Sequence, residues 1–524
     1  LADHLNQINR VWTALARRAE RVLDDDRLHA AFVEADYFSA ACGKESGVVF
    51  GRRGAGKTHT LLEMARRVRC DGGIPVFVDM RSLGSNAGIY DNPQTPFASR
   101  AGRLLVDLVE TVHENLFQAA LTEGAHGLSD NLHQLGPALD LLGEAATQIR
   151  VTGTLTVNRG STAKVGSTTS RKAAARLARR GLRADVEASS GRQAETGVSV
   201  EVTRQGTEDF YLHMGELERA VRKVCAALGG RELWLLLDEW SEGVPLELQP
   251  VLADLLRRSF LRSSRVTVKV MAIEHRSIFR KRTGTGGYVG LELGADTAET
   301  VVLDASLTIG DDAGRACEFL RRMLGEHFLQ VANELGQDRA GTTPSQVIAA
   351  SFQPNAFDTL VLASEGNPRD AMNLVSKAAR SARDGTMSER DVLLAARDYF
   401  WNTKHKNIEG ERATENLFRR LITRSLERRR RTFLVDRLDE QRGLYNRLYD
   451  QRLIHLIRSG IRITAGSGAY DGYAVDFGSY ADRVLAGTLR WTNDGWANPR
   501  SFFVDELDPD WRDGVIGRRI SLGV

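Results

Sequence analysis

Apolar residues along this chain recur in two periods, and the switches between them outline its elements. Val48-Val49-Phe50, Ile74-Pro-Val-Phe-Val-Asp79 and Leu233-Trp-Leu-Leu-Leu-Asp238 are short apolar runs. Each predicts a strand, and the unbroken run 233–239, which ends in two acids, predicts one buried on both faces, as in a parallel sheet. Arg265-Val-Thr-Val-Lys-Val-Met-Ala-Ile273 predicts another strand, and residues 300–303 a last one. Between them the spacing turns helical. It predicts helices over 59–68, over 103–117 (Leu105, Leu108, Val109, Val112 and Leu116 on one face) and over 248–260 (Leu248, Val251, Leu252, Leu255, Leu256). Strands alternating with helices predict an α/β fold around a parallel sheet.

Outside that core the pattern changes. Residues 1–46 read as a helical lead-in with Val11, Leu15 and Ala16 in register, and 306–400 as a helical domain. The stretch 401–410 is polar enough for a linker. From 411 to 485 the order is helix (414–430), short strand (432–435), helix (445–457), then two alternating runs, Ile461-Arg-Ile463 and Tyr473-Ala-Val-Asp-Phe477. That is the order of a winged helix, and 486–524 form a tail. The sheet core is expected over 47–305 with an insertion at about 147–206. Residues 118–209 hold no aromatic, Met or Cys, so the block is expected to bury little and to project as a β-ribbon or a disordered arm. Strands are expected there at 150–157 and 197–203, with a short helix at 173–180.

At 524 residues, with 42% hydrophobic and 27% charged, the chain predicts two to four globular domains. It shows no apolar run of membrane-spanning length and no signal-peptide pattern, which argues against a membrane partner. Cys42, Cys70, Cys225 and Cys317 are scattered, which points to a reducing cytoplasm and away from structural zinc. Net charge is only +3, but it is unevenly spread. Residues 150–204 carry eleven Lys/Arg against four Asp/Glu, and 412–462 carry fourteen Arg against six. Two basic segments on an acidic remainder are a partner-binding pattern.

The chemistry is concentrated in Gly51-Arg52-Arg53-Gly54-Ala55-Gly56-Lys57-Thr58. It fits G-x-x-x-x-G-K-[ST] and lies between a predicted strand and a predicted helix. Glycines let successive N–H groups turn toward a phosphate, and the helix that follows adds its positive end. Lys57 is the candidate for the β- and γ-phosphates, Thr58 for Mg²⁺, and the loop through His59 for the nucleotide as a whole. Asp238 and Glu239 close the run 233–239. They are candidates for the Mg²⁺ shell and for activating the attacking water. Together they predict a chain that binds and hydrolyses ATP.

Gly366-Asn-Pro-Arg369 adds a resemblance. It looks like the sensor-2 motif in the helical lid of AAA+ ATPases, and the chain is most similar to the origin-recognition-complex-like members of prokaryotes. Their core, lid and winged helix follow in this order over roughly residues 40 to 480. The resemblance implies that Arg369 reaches the γ-phosphate and that Arg276, after the strand at 265–273, acts as sensor 1. An arginine at that strand end is similar to the STAND signalling ATPases instead. It also implies oligomeric assembly with an arginine supplied in trans. Arg280 and Arg282 are the candidates beside Lys281, with Arg257 and Arg258 as rivals. A winged helix implies DNA or protein contact, and Arg428, Arg429, Arg430 and Arg431 are the nucleic-acid candidates. In a bacterial chain the resemblance implies a setting such as anti-phage defence, with an effector partner. A scaffold with little hydrolysis and a DNA-loading factor stand as alternatives.

Overall fold

The computed structural model describes residues 2–489, except 16–24, 84–89, 91, 123–131, 147–148, 158–160, 164–201, 211–212, 285, 298, 308–312, 338, 340, 384, 429–430 and 463–468. Two compact units divide the chain. The first holds Leu1–Cys42, Val49–Glu63 and Val301–Val524, and the second Gly43–Val48 and Met64–Thr300.

The central sheet has five strands: β1 (Gly47–Phe50), β2 (Ile74–Asp79), β3 (Leu233–Asp238), β4 (Val266–Ala272) and β5 (Glu299–Val302). Their order is β5-β1-β4-β3-β2. β3 pairs in parallel with β2, from Ile74 opposite Leu233 to Asp79 opposite Asp238, and in parallel with β4 on its other side. All six residues of β3 are buried, which is why its sequence is apolar without alternation. The fold is α/β on a parallel sheet, as the strand and helix pattern predicts.

In the second unit, of helices Phe97–Thr122, Leu132–Ala146 and Met214–Ala227, the second packs on the other two. The second of these corrects an expectation. It lies in the aromatic-free block, yet it buries Leu135, Ala138, Leu139, Leu142 and Ala145. Leucines and alanines at helical spacing fill a core without any ring. Beyond it a ribbon does form, with Ile149–Val157 antiparallel to Val202–Phe210 and Ser161–Ala163 alongside. Its return strand starts five residues later than the 197–203 expectation, and the helix expected at 173–180 lies outside the described residues.

In the first unit the N-terminal helix Ala2–Ala14 packs into the helical domain formed by Ala313–Glu334, Pro344–Ser351, Ala356–Ser364, Pro368–Ala382 and Glu389–Tyr399. Trp12 anchors it, fully buried, with its ring 4.7 Å from Phe328 and its indole N–H donating to Ser351 Oγ at 2.9 Å. The expected linker at 401–410 is not one. Phe400–Lys404 is a π-helical turn and His405–Ile408 a 3₁₀ turn, with Phe400, Lys404 and Ile408 buried. Polar composition suggested solvent, but the partners that bury Lys404 lie far away in sequence. Helix Arg412–Arg428, β6 (Thr432–Asp436), helix Arg442–Asp450, β7 (Ile454–Arg462) and β8 (Ala469–Val475) follow, with the sheet in the order β6-β8-β7. Residues 454–457, expected at the end of a helix, open β7 instead, because the left-handed Arg452 (φ 59) turns the chain there. No helix among the described residues is long and apolar enough to cross a membrane.

Candidate functional site

The first unit carries the loop. β1 ends at Phe50, and the helix Lys57–Cys70 begins six residues after Gly51. Gly54 (φ 85) and Gly56 (φ 93) take left-handed backbone that a side chain would strain. Lys57 Nζ folds back over the turn, donating to Gly51 O at 3.0 Å and Arg52 O at 3.2 Å. This strand–loop–helix has the form of an anion cradle.

The other letters of the motif are engaged differently from their assignment to the nucleotide. Arg52 is buried, and its backbone N–H donates to Asp304 Oδ2 at 2.6 Å. Its guanidinium meets Asp304 Oδ1 (3.3 Å), Glu365 O (2.6 Å) and His455 Nδ1 (3.3 Å). In this structure neither end of Arg52 is offered to a phosphate. His59 likewise turns inward, with Nε2 2.8 Å from Leu28 O and its ring edge-on to Phe32. Burial pulls its pKa below the ordinary histidine value.

The turn 365–369 seats helix Pro368–Ala382 on the loop. Glu365 (φ 52) and Gly366 (φ 69) end the helix Ala356–Ser364. Asn367 then caps the next helix by accepting from Asp370 N, with Pro368 in its first turn. Asn367 Nδ2 donates to Arg53 O at 2.8 Å and Arg369 N–H to Gly54 O at 3.3 Å. A Cβ on Gly54 would lie 2.6 Å from Asn367 Oδ1 and 2.8 Å from Arg369 Cβ. The structure therefore brings Arg369 against the loop.

Behind that turn lies a buried polar cluster. Lys404 Nζ sits 2.8 Å from Asp370 Oδ2 and 2.6 Å from Asp476 Oδ2. Arg452 Nη1 adds a second cation 2.7 Å from Asp370 Oδ1. Burial alone would raise the Asp370 carboxyl, but Arg452 and Lys404 overcome it and hold the group well below the usual carboxylate range. Burial would likewise lower Lys404, and Asp370 and Asp476 hold it above its ordinary value. Arg431 belongs to this interior too. Both of its terminal nitrogens meet the Glu365 carboxylate, Nη2 at 2.9 Å. As a nucleic-acid candidate Arg431 is thus corrected: it is buried and paired. Arg428 ends its helix, and Arg429 and Arg430 lie outside the described residues.

The second unit carries the acids. Asp238 ends β3 almost fully buried, and its Oδ1 accepts the Glu239 N–H at 2.9 Å. Glu239 itself is left-handed (φ 55), and buried Trp240 after it stacks on Phe279 at 5.3 Å. That bend swings Glu239 out of the strand direction. At the end of neighbouring β2, Arg81 chelates Asp79 (3.0 and 2.8 Å) and lies 3.6 Å from Glu239 Oε1. Arg276 sits in a turn that Gln249 and Ser241 hold through Arg276 O (3.1 Å) and Ile273 N (2.6 Å), with Nη1 3.8 Å from Glu242. Arg280 pairs with Glu292 and lies over the Tyr288 ring. Arg257 and Arg258 both pair with Asp254. Arg282 is exposed.

Sequence reasoning missed Asp79, Arg81, Asp304, Glu365 and His455. For Asp79 and Arg81, the acid at the end of an apolar run was the available signal. The other three carry no local pattern, because their partners are distant in sequence.

No protein-family model and no curated protein sequence matches the chain. Among solved structures it is similar to a Walker-type ATPase of Pyrococcus abyssi, at 12% identity over 90% of this chain and 99% of that one, with a TM-score of 0.39. It is also similar to the Aeropyrum pernix ORC1 protein solved in complex with DNA, at 13% identity over 89% and 98% and a TM-score of 0.30.

Proposed function

We propose that this chain is an ATP-binding and ATP-hydrolysing switch of the AAA+ kind, whose nucleotide state sets its grip on nucleic acid or a partner effector. The observation that carries the reading is the loop itself: Gly54 and Gly56 at positive φ after a buried strand, with Lys57 opening the helix. Gly56 has nothing within 4 Å of where a Cβ would stand. The backbone at that point has room for a close-lying phosphate.

Thr58 and Asp238 supply hard oxygen donors of the kind Mg²⁺ takes, and a buried carboxylate such as Asp238 suits a cation. When bound, Mg²⁺ would offset charge on the β- and γ-phosphates. Lys57 would leave the two loop carbonyls for the phosphate oxygens. Glu239 would take the proton as water oxygen attacks the γ-phosphorus and the bridging β–γ bond breaks toward ADP. Arg369, Arg276 and a neighbouring copy's Arg280 or Arg282 would balance the charge that develops.

Glu239→Gln should keep ATP affinity and cut turnover by about a hundredfold or more, as loss of a general base does. Lys57→Ala should abolish nucleotide binding. Unchanged turnover in Glu239→Gln would refute the assignment. One contact favours a second reading, a scaffold with little hydrolysis: Arg81 lies 3.6 Å from Glu239 Oε1, where it competes with water for that carboxylate. Under it, Arg81→Ala raises basal turnover.

A further inference from the structure

We propose that His455 is a positioning residue for the phosphate-binding loop, acting through Arg52, so that the C-terminal sheet sets the loop's affinity for nucleotide. The proposal rests on the ATP reading above and concerns regulation of that same loop.

The chain of contacts is short and wholly buried. His455 stands on β7, and its Nε2 lies 2.8 Å from Asp476 Oδ2. A carboxylate only accepts, so Nε2 carries the proton and Nδ1 is left as an acceptor. Arg52 Nη1 donates to that Nδ1 at 3.3 Å. The Arg52 carbonyl in turn accepts from Lys57 Nζ at 3.2 Å. Moving the imidazole therefore moves the arginine, and moving the arginine moves the lysine's seat.

A second path closes the circuit. Asp476 also binds Lys404, Lys404 binds Asp370, and Asp370 lies in the first turn of the helix whose Asn367 and Arg369 grip Arg53 O and Gly54 O. The carboxylate of Asp476 thus stands behind both grips on the loop. Phosphate in the cradle would draw Lys57 off the Arg52 carbonyl and change the balance at His455. Coupling of this kind is reciprocal: whatever holds the C-terminal sheet in place alters nucleotide affinity by the same factor.

An arginine in a phosphate loop would ordinarily be read as an anion ligand. Here Asp304 accepts from its backbone N–H and lies 3.3 Å from Nε as an ion-pair partner without a hydrogen bond, and Glu365 O and His455 accept from its other nitrogens. Without the imidazole, a buried guanidinium N–H loses its acceptor.

The test uses the full chain and a fluorescent ADP analogue. His455→Leu should weaken affinity about tenfold, the size of one buried hydrogen bond left unmet. His455→Gln, whose amide both donates and accepts, should stay within about threefold of wild type. Arg52→Ala should weaken binding as His455→Leu does, and the double variant should be no worse than either single one. Additive losses, or wild-type affinity in His455→Leu, would overturn the proposal. Should the wild-type chain fail to bind the analogue, the ATP reading fails by itself. Amide exchange of the loop in nucleotide-free protein then decides: His455→Leu must speed exchange at residues 53–57 where His455→Gln does not. Equal exchange in the two variants would sink it. If His455→Leu does not fold, Arg52→Lys takes its place: its loss of affinity must be the same in the wild-type and His455→Gln backgrounds, where the acceptor is kept, and wild-type affinity in Arg52→Lys would overturn the proposal.

Discussion

The two units hold their candidate residues by opposite means. In the first, the loop and the turn 365–369 rest on polar partners: Arg52 on Asp304 and His455, Arg431 on Glu365, Lys404 and Arg452 on Asp370. In the second, Asp238 closes a strand whose other five residues are buried and apolar, followed by a tryptophan stacked on a phenylalanine. Ion pairs inside a protein add little net stability over an apolar replacement, yet they punish the loss of one partner severely. Apolar packing is graded, losing stability with each methylene removed. The first unit should therefore be the brittle one.

Removing one carboxylate is the strongest way to break the contrast. Asp370→Leu leaves Lys404 and Arg452 short of their counter-charge, and about 3–5 kcal/mol of stability should go, read by denaturant unfolding of the full chain. A loss below about 1 kcal/mol would mean that the cluster relaxes and the contrast is false. Leu236→Ala in the middle of β3 should cost about 2–4 kcal/mol, with amide exchange quickened along 233–238.

The smallest effect comes from acid. Burial pushes His327 down to about 3 and lowers His455 as well, where Arg52, Lys404, Glu365 and Asp476 surround it. The unfolded chain takes up these protons near pH 6.5 while the folded one refuses them. Stability is therefore present above about pH 6.5 and falls as the pH drops toward the folded values. Between pH 6.5 and 5.5, His327 alone should cost about 1 kcal/mol. His113 in the second unit shifts the same way, but Asp140 and Glu114 offset part of its burial, so exchange over 313–334 should quicken more than over 97–122. The reverse order would contradict the comparison.

What the sequence made legible follows the same division. Ile74–Asp79 was readable to the residue and Leu233–Asp238 to within one, the latter because burial on both faces leaves one kind of side chain. Gly54 and Gly56 were readable because their backbone geometry dictates them. Lys404 was not, since a buried charge looks like a solvated one until Asp370 and Asp476 are placed beside it, 34 and 72 positions away. The helix at 132–146 was missed for another reason: the absence of rings was taken for the absence of a core.

Arg52 carries a consequence for how such chains are compared. Its place in G-x-x-x-x-G-K-[ST] is written as a wildcard, yet its side chain is fixed by an imidazole 403 residues downstream. Descendants that exchange this arginine should exchange the histidine with it. A pattern search that reads only the eight-letter stretch would take the altered pair for neutral drift, while the two substitutions together record a rewired connection between the ends of the molecule.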